Sequence, residues 1–507
     1  MRTTIAWSHA LLGSDEQTLL RRLSVFAGRF TLDDAEALVS AEDAHQTQPL
    51  DLLSSLVDKS LVVREETGQT ACYRLHETMR DYGRLKLREA HEEEVVESRV
   101  ARYYRLACLR AAPDARYNLL DWLHWMDLEI DTIRSVLRST VRRGEYDVAT
   151  DLLSAMGWFW ITRATTEGGD WLDEVLPNSD RSSPTYGLAH FVRGFLAVLQ
   201  NNPEVAMPAL HRAVTAARET ADLALLAQSL SMSSIAENLA GNGPLAEVLL
   251  DDARGVSAPV DDLPAKVALL QAEALNGFFR GDIDAVKAAS QDGVRCSRDA
   301  GDLYSLGMML LNRGLVALVT QDLDLSRACF IEGLQTAHRI DDRVAQFYLL
   351  DALGCHAAKS RQPRLAAKLF GAAETIRTQA GAKSNAILLP LLAEALALVK
   401  TSLGTELFKS QFELGGRLGR DRAVNVALGM SPADPSTGEL LGFEPLPKRQ
   451  AQVAALVADG LSNKQIGTRL FISERTVETH VRTILNRLGF STRAQIANWI
   501  GVTNPAR

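Results

Sequence analysis

The feature that most restricts what this 507-residue chain can fold into is a beat of 40 residues through its middle. Turn-prone pairs recur at Asn202-Pro203, Asn242-Gly243, Gly281-Asp282, Gln321-Asp322 and Gln362-Pro363. A second marker keeps the same interval: Asp222, Asp262, Asp302 and Asp342 each precede a fresh helical run. Each unit therefore reads as a helix of about 17 residues, a tight turn and a second helix of similar length. In the unit that begins at Leu303, the small residues Gly314, Ala317, Ala328 and Gly333 sit where paired helices must approach closely, and Phe330 fills the space between. No single unit can bury its apolar face, so the units stack into a solenoid. An irregular helical bundle is the alternative. The stretch from Asp147 to Leu176, with Trp158, Trp160 and Trp171, opens the array, and Leu388 to Gly419 closes it.

Charge divides the chain unevenly. The net charge is −8, yet residues 446–507 hold nine Lys/Arg against three Asp/Glu, a balance of +6. The remainder then carries −14. A basic tail on an acidic body points to an anionic partner for the tail, although charge alone fits an ordinary solvated surface as well. The five cysteines, Cys72, Cys108, Cys296, Cys329 and Cys355, form no CxxC pair, so they read as buried free thiols in a reducing cytoplasm rather than disulfide or zinc ligands. No run of 18 apolar residues marks a membrane span, and residues 1–14 lack the apolar core of a signal peptide. A cytoplasmic protein without membrane contact is expected. Catalytic chemistry finds no support: no Ser/His/Asp arrangement, metal cluster or G-x-x-x-x-G-K-[ST] phosphate loop stands out. No catalytic residue, metal or cofactor is expected.

Residues 429–442 are rich in Pro, Gly and Ser without periodicity, and read as a linker. Beyond them, residues 443–507 fit four short helices. Ser462 caps the second, Ser473 caps the third, and Phe471-Ile-Ser forms the turn between them. On the third helix Val477, Val481, Ile484 and Leu488 make one apolar stripe, while Arg475, Glu478, Thr479, Arg482 and Asn486 share the opposite, polar side. Two helices joined by a tight turn, the second with such a face, form a helix-turn-helix whose polar side suits the major groove of double-stranded DNA. Arg482 is positioned to fork onto guanine and Thr479 to meet a base edge. Lys464, Arg475 and Thr476 lie near helix N-termini, where phosphates bind.

Both halves of this reading resemble known families. The stretch "GLSNKQIGTRLFISERTVETHVRTILNRLG" closely resembles the LuxR-type DNA-binding domain, through Gly460-Leu-Ser-Asn-Lys464, Ile472-Ser473, Thr476-Val477, His480-Val481, Ile484 and Leu488-Gly489. That resemblance implies DNA-binding residues Ser462, Asn463, Lys464, Ser473, Arg475, Thr476, Glu478, Thr479, His480 and Arg482. It also implies a homodimer on DNA through Gln495, Ile496 and Trp499 in the fourth helix. Two positions depart from the pattern. Gln450 stands where the family has Glu, and Glu478 stands where relatives often carry Lys. A carboxylate at 478 repels phosphate but accepts from cytosine N4.

The 40-residue units resemble degenerate tetratricopeptide (TPR) repeats with long helices. At the front, three amphipathic helices from Glu16, Thr31 and Leu50 precede a hairpin around Glu66-Thr-Gly-Gln69 and a helix from Glu77. "LLRRLSVFAGRFTLDDAEAL", "LLSSLVDKSLVV" and "YRLHETMRDYGRLKL" resemble the winged helix that ends the nucleotide-binding (NB-ARC) module of STAND signalling ATPases. In that family a histidine at the place of His76 touches the phosphate of ADP. Without a phosphate loop His76 is read as structural, and the chain resembles the C-terminal portion of a large bacterial LuxR-type regulator. The expected fold is mainly α: a winged-helix segment (1–95), a TPR-like solenoid (96–428, with the beat over 183–382), a linker (429–442) and a LuxR-type domain (443–507). The expected function is transcription regulation, with an unidentified protein or small-molecule effector on the repeats. The alternative is a protein-interaction scaffold whose terminal domain has lost productive DNA binding.

Overall fold

The computed structural model describes residues 2–38, 48–67, 70–384, 386–429, 448–458, 461–470 and 473–488. The chain forms two compact units, Met1–Arg417 and Leu418–Arg507. The first unit opens with α1 (Arg2–Ala10), α2 (Ser14–Leu23), α3 (Leu32–Ala37) and α4 (Pro49–Asp58). The hairpin β1 (Val62–Thr67) and β2 (Thr70–Leu75) follows, and then α5 (Glu77–Glu89). The two strands are antiparallel, with Val62 opposite Leu75, and Phe30 bridges to Tyr73 beside them. Thr31 starts α3 as expected: its hydroxyl accepts from the Asp34 amide while the Asp34 carboxylate accepts from the Thr31 amide. Glu16 of α2 accepts from the Ser55 hydroxyl (2.6 Å) and from Lys59, which ties α2 to the end of α4.

Two long helices that the sequence reading did not foresee come next, α6 (Glu93–Ala115) and α7 (Leu119–Arg143). The array begins with α8 (Tyr146–Ala155), α9 (Gly157–Thr162), α10 (Thr165–Val175) and α11 (Tyr186–Leu199). It continues with α12 (Pro203–Glu219), α13 (Leu223–Leu239), α14 (Gly243–Ser257), α15 (Leu263–Arg280), α16 (Ile283–Ala300), α17 (Leu303–Val319), α18 (Leu323–Arg339), α19 (Arg343–Lys359) and α20 (Pro363–Gln379). From Pro203 to Pro363 a helix starts every 20 residues, so the 40-residue unit is a pair of equal steps. The starts have two physical causes. Asp222, Asp262, Asp282, Asp302, Asp322 and Asp342 each accept a main-chain N–H with the side chain. The helices α12, α14 and α20 instead carry proline in the first turn, where an N–H would go unused. Asp282 and Asp322, read from sequence as turn residues, are thus caps as well. The turns reverse through a left-handed residue at 201, 221, 241, 281, 301, 321, 341, 361 and 381.

Within a pair, size is traded between facing positions. A Cβ on Gly314 would lie 2.4 Å from Phe330, and one on Gly354 would lie 2.4 Å from Phe370. A Cβ on Gly194 would lie 2.5 Å from Leu210. The equivalent positions 40 residues apart hold Ser234 with Leu250 and Ala274 with Ser290. The final helices, α21 (Leu388–Leu403) and α22 (Thr405–Gly416), pack on α20; Gly371, Gly415 and Gly416 let the backbones of α20 and α22 meet.

The array curls until its two ends meet. The Tyr348 hydroxyl of α19 donates to the Leu199 carbonyl of α11 (3.3 Å), and Thr166 donates to the Ala380 carbonyl (3.3 Å). Arg116 donates to Asp302 (2.6 Å) and Ser305 (2.9 Å) while lying 5.1 Å over the Trp158 ring. Among the described residues no helix is long and apolar enough to cross a membrane, and no group of His, Cys, Asp and Glu is arranged for a metal. Four cysteines are buried free thiols, and Cys296 is half-buried.

Candidate nucleic-acid interface

The second unit holds α23 (Arg420–Ala427), α24 (Lys448–Ala458), α25 (Asn463–Leu470) and α26 (Glu474–Leu488). Val453, Ala454 and Val457 of α24, Ile466 of α25, and Val477, Val481 and Ile484 of α26 form one buried cluster. Three members of the expected stripe on α26 are therefore core, and this sets which side of the helix is left outside. Thr476, Glu478, Thr479 and Thr483 are exposed and His480 is half-buried.

Two caps fix the helix starts. The Ser462 amide donates to the Gln465 side chain (2.8 Å) and the Gln465 amide donates to the Ser462 hydroxyl (3.3 Å), a reciprocal capping box. The Thr476 amide donates to the Ser473 hydroxyl (3.1 Å), whose oxygen also lies 2.7 Å from the Thr476 hydroxyl. Capping aligns the first amides of each helix toward one point, the arrangement that favours an anion. Lys464 is exposed in the first turn of α25, with Asn463 half-buried beside it.

The sequence-derived residues divide accordingly. Ser462, Asn463 and Lys464 come together at one helix start, and Ser473 and Thr476 at the other. Glu478 and Thr479 lie on the outer side of α26. Arg475 and Arg482 hold α26 positions four before and three after Thr479, and their side chains lie outside the described residues. Gln495, Ile496, Trp499 and the expected fourth helix lie outside them as well, as does most of the turn before Ser473. At the front of the chain His76 is exposed at the start of α5. Neighbouring Arg74 is engaged with Glu65 (2.9 Å) and Arg80 with the Ala27 carbonyl.

A feature that sequence reasoning missed lies inside the ring of the first unit. The inner sides of α11, α13, α15 and α17 enclose a cavity of about 320 Å³, closed at one side by Arg116 and Trp158. Its wall is mainly apolar, with Phe191, Phe195, Tyr304 and Met308. Amide groups interrupt it: Gln228, Gln271 and Asn312, the last donating to Gln271 (2.9 Å). No sequence signal marked it, because the lining residues come from helices whose spacing reveals only the repeat.

The fold thus defines a helical-repeat protein with a helix-turn-helix element towards each end. Residues 444–500 match the luxR family of bacterial regulatory proteins (GerE), and residues 12–88 match a winged helix-turn-helix domain. The C-terminal domain is a LuxR-family domain. A protein of Mycobacterium tuberculosis named as an HTH-type transcriptional regulator is 28% identical over 365 residues, 69% of this chain and 41% of that protein. The chain therefore spans about two fifths of the length of this relative. The transcriptional regulatory protein LiaR of Bacillus subtilis is 46% identical over 57 residues, 11% of this chain and 27% of LiaR. Among solved structures, a STAND protein with a tetratricopeptide repeat sensor from Pyrococcus horikoshii aligns with a TM-score of 0.47 and 15% identity, over 83% of this chain and 64% of that one.

Proposed function

We propose that this chain is a sequence-specific DNA-binding transcriptional regulator of the LuxR type, acting in the cytoplasm. In this reading residues 1–95 are a winged-helix segment, 96–428 an effector-receiving array, 429–442 a linker and 443–507 the output domain. The observation that carries it is the pair of capped helices with the apolar side of α26 buried and its polar side outside. The outer side of α26 enters the major groove. There Arg482, Thr479, Glu478, Arg475 and His480 meet base edges or adjoining phosphates. Ser462, Asn463, Lys464, Ser473 and Thr476 hold the backbone, and Gln495, Ile496 and Trp499 join two copies. The effector is a small, largely apolar molecule with a group that hydrogen-bonds amides, seated in the cavity bounded by Gln271 and Asn312.

Binding of the full chain to genomic DNA fragments, followed by fluorescence anisotropy on those recovered, tests the reading. The logarithm of affinity should fall with the logarithm of salt at a slope of about −0.9 per phosphate neutralised. Arg482→Ala should relax preference at one base pair at a cost of about 1–3 kcal/mol, whereas Lys464→Ala should weaken all sequences alike. No binding at low or moderate salt would favour the second reading, an interaction scaffold. The exposed carboxylate of Glu478 on the groove-facing side is the observation on that side.

A further inference from the structure

Outside the ring cavity, a second pocket lies between α10, α11 and α12, and its wall has the wrong chemistry for a solvated cleft. It measures about 390 Å³. Three arginines line it: Arg193 from α11, Arg212 from α12 and Arg181 from the loop after α10. Asp173 is the one carboxylate on the wall. It accepts from Arg193 Nε (2.7 Å) and Nη2 (2.8 Å), so one positive charge is answered. Arg181 and Arg212 make no ion pair or side-chain hydrogen bond among the described residues. The pocket thus has an excess of two positive charges.

Two groups deeper in the wall are left without partners. Arg193 is only 7% exposed, yet its Nη1 finds no acceptor in the protein. His190 is 4% exposed and lies edge-on to Tyr186 at 4.5 Å, and neither ring nitrogen is hydrogen-bonded. Buried polar groups in folded proteins are almost always paired, because an unpaired one forfeits its hydration without return. Burial, then Arg212 and Arg181, hold the imidazole down to about 4, so His190 is neutral and keeps one N–H to donate. Every unpaired group here is therefore a donor or a cation, apart from one imidazole nitrogen. The sequence cause is local. Arg193 and His190 sit three apart on α11 and present to the same side, and Arg212 lies on the helix packed against it.

We infer that this pocket binds a small multivalent oxyanion, carrying phosphoryl or carboxylate groups, between Arg181, Arg193 and Arg212. Guanidinium groups meet both kinds of oxyanion with paired N–H bonds, so the wall suits either. A ligand at this place would lock α10, α11 and α12 together at the start of the array.

The test uses the full chain, with pyrophosphate and citrate as probes at constant ionic strength set with sodium chloride. Thermal unfolding and calorimetry should show saturable stabilisation by at least one probe; which one distinguishes a phosphoryl from a carboxylate ligand. Arg181 and Arg212 are exposed, so Arg181→Ala and Arg212→Ala should fold and should each weaken binding about ten-fold or more. Arg218→Ala, an exposed arginine on α12 outside the pocket, should bind like the parent. No saturable binding of either probe would overturn the inference. So would equal binding by the parent and the Arg181→Ala, Arg212→Ala double variant, or stabilisation by duplex DNA alone.

Discussion

Glu129 on α7 has a carboxyl group that folding keeps protonated at neutral pH. It is fully buried, accepts from the Tyr104 hydroxyl (2.6 Å) and feels the negative charge of Asp34 in the winged-helix segment. Burial first, and Asp34 second, push it up to about 8. The unfolded chain binds fewer protons than the native one between about 4.5 and 8, so stability falls as pH rises through that window. Glu129→Gln mimics the protonated form. It should match the parent near pH 4.5 and exceed it by up to about 4 kcal/mol at pH 7.5, given a ceiling of about 1.4 kcal/mol per pH unit. Denaturant melts at the two pH values check this, and parallel curves for parent and variant would contradict it. Glu16, which Lys59 and Ser55 hold down at about 2, acts only at lower pH and leaves this window clear.

At the scale of the element, the helix pairs depend on facing residues whose sizes compensate. Phe330 lies where Gly314 has no side chain, so Gly314→Ala alone should destabilise by about 1–3 kcal/mol through overpacking. Adding Phe330→Leu should recover much of that loss, since the glycine–leucine pairing already occurs at Gly194 and Leu210. A double-mutant cycle on thermal unfolding measures the coupling, and additive effects would show that the two positions are not matched. This much was legible in the sequence because it obeys local rules: Asp caps, Pro starts, and Gly facing Phe at a fixed interval. The helix-turn-helix was legible for the same reason, from Ser462, Ser473 and the Val477, Val481, Ile484 stripe. The ring closure and the oxyanion pocket were not. The bond from Tyr348 to Leu199 joins residues 149 apart, and that from Arg116 to Asp302 joins residues 186 apart. No periodicity encodes such pairs.

Considered over the whole first unit, the contact of Arg116 with Asp302 seals the ring beside the cavity. Asp302 is fully buried and also caps α17 through the Ser305 amide (3.0 Å). Arg116→Ala would leave that carboxylate buried without its cation, a loss of about 3 kcal/mol by analogy with other broken buried pairs. The variant should unfold at lower temperature, and the Trp158 environment should become more polar, as seen in its fluorescence. It should also release an apolar occupant of the cavity faster than the parent does. An unchanged melting midpoint would mean that the closure contributes nothing to holding the ring.

The 20-residue step between helix starts restricts how the array can change in length. Dropping one residue inside any helix turns every side chain beyond it by 100° about the axis, so each later Gly–Phe match would face the wrong way. Only a whole pair can be removed without scrambling orientation. Yet a whole pair cannot leave either, because Tyr348 would then stop one unit short of Leu199. The chain is therefore a counted object. Open solenoids can grow or shrink at their ends, whereas this one is held to its number of repeats between α11 and α19 by the bond that joins them.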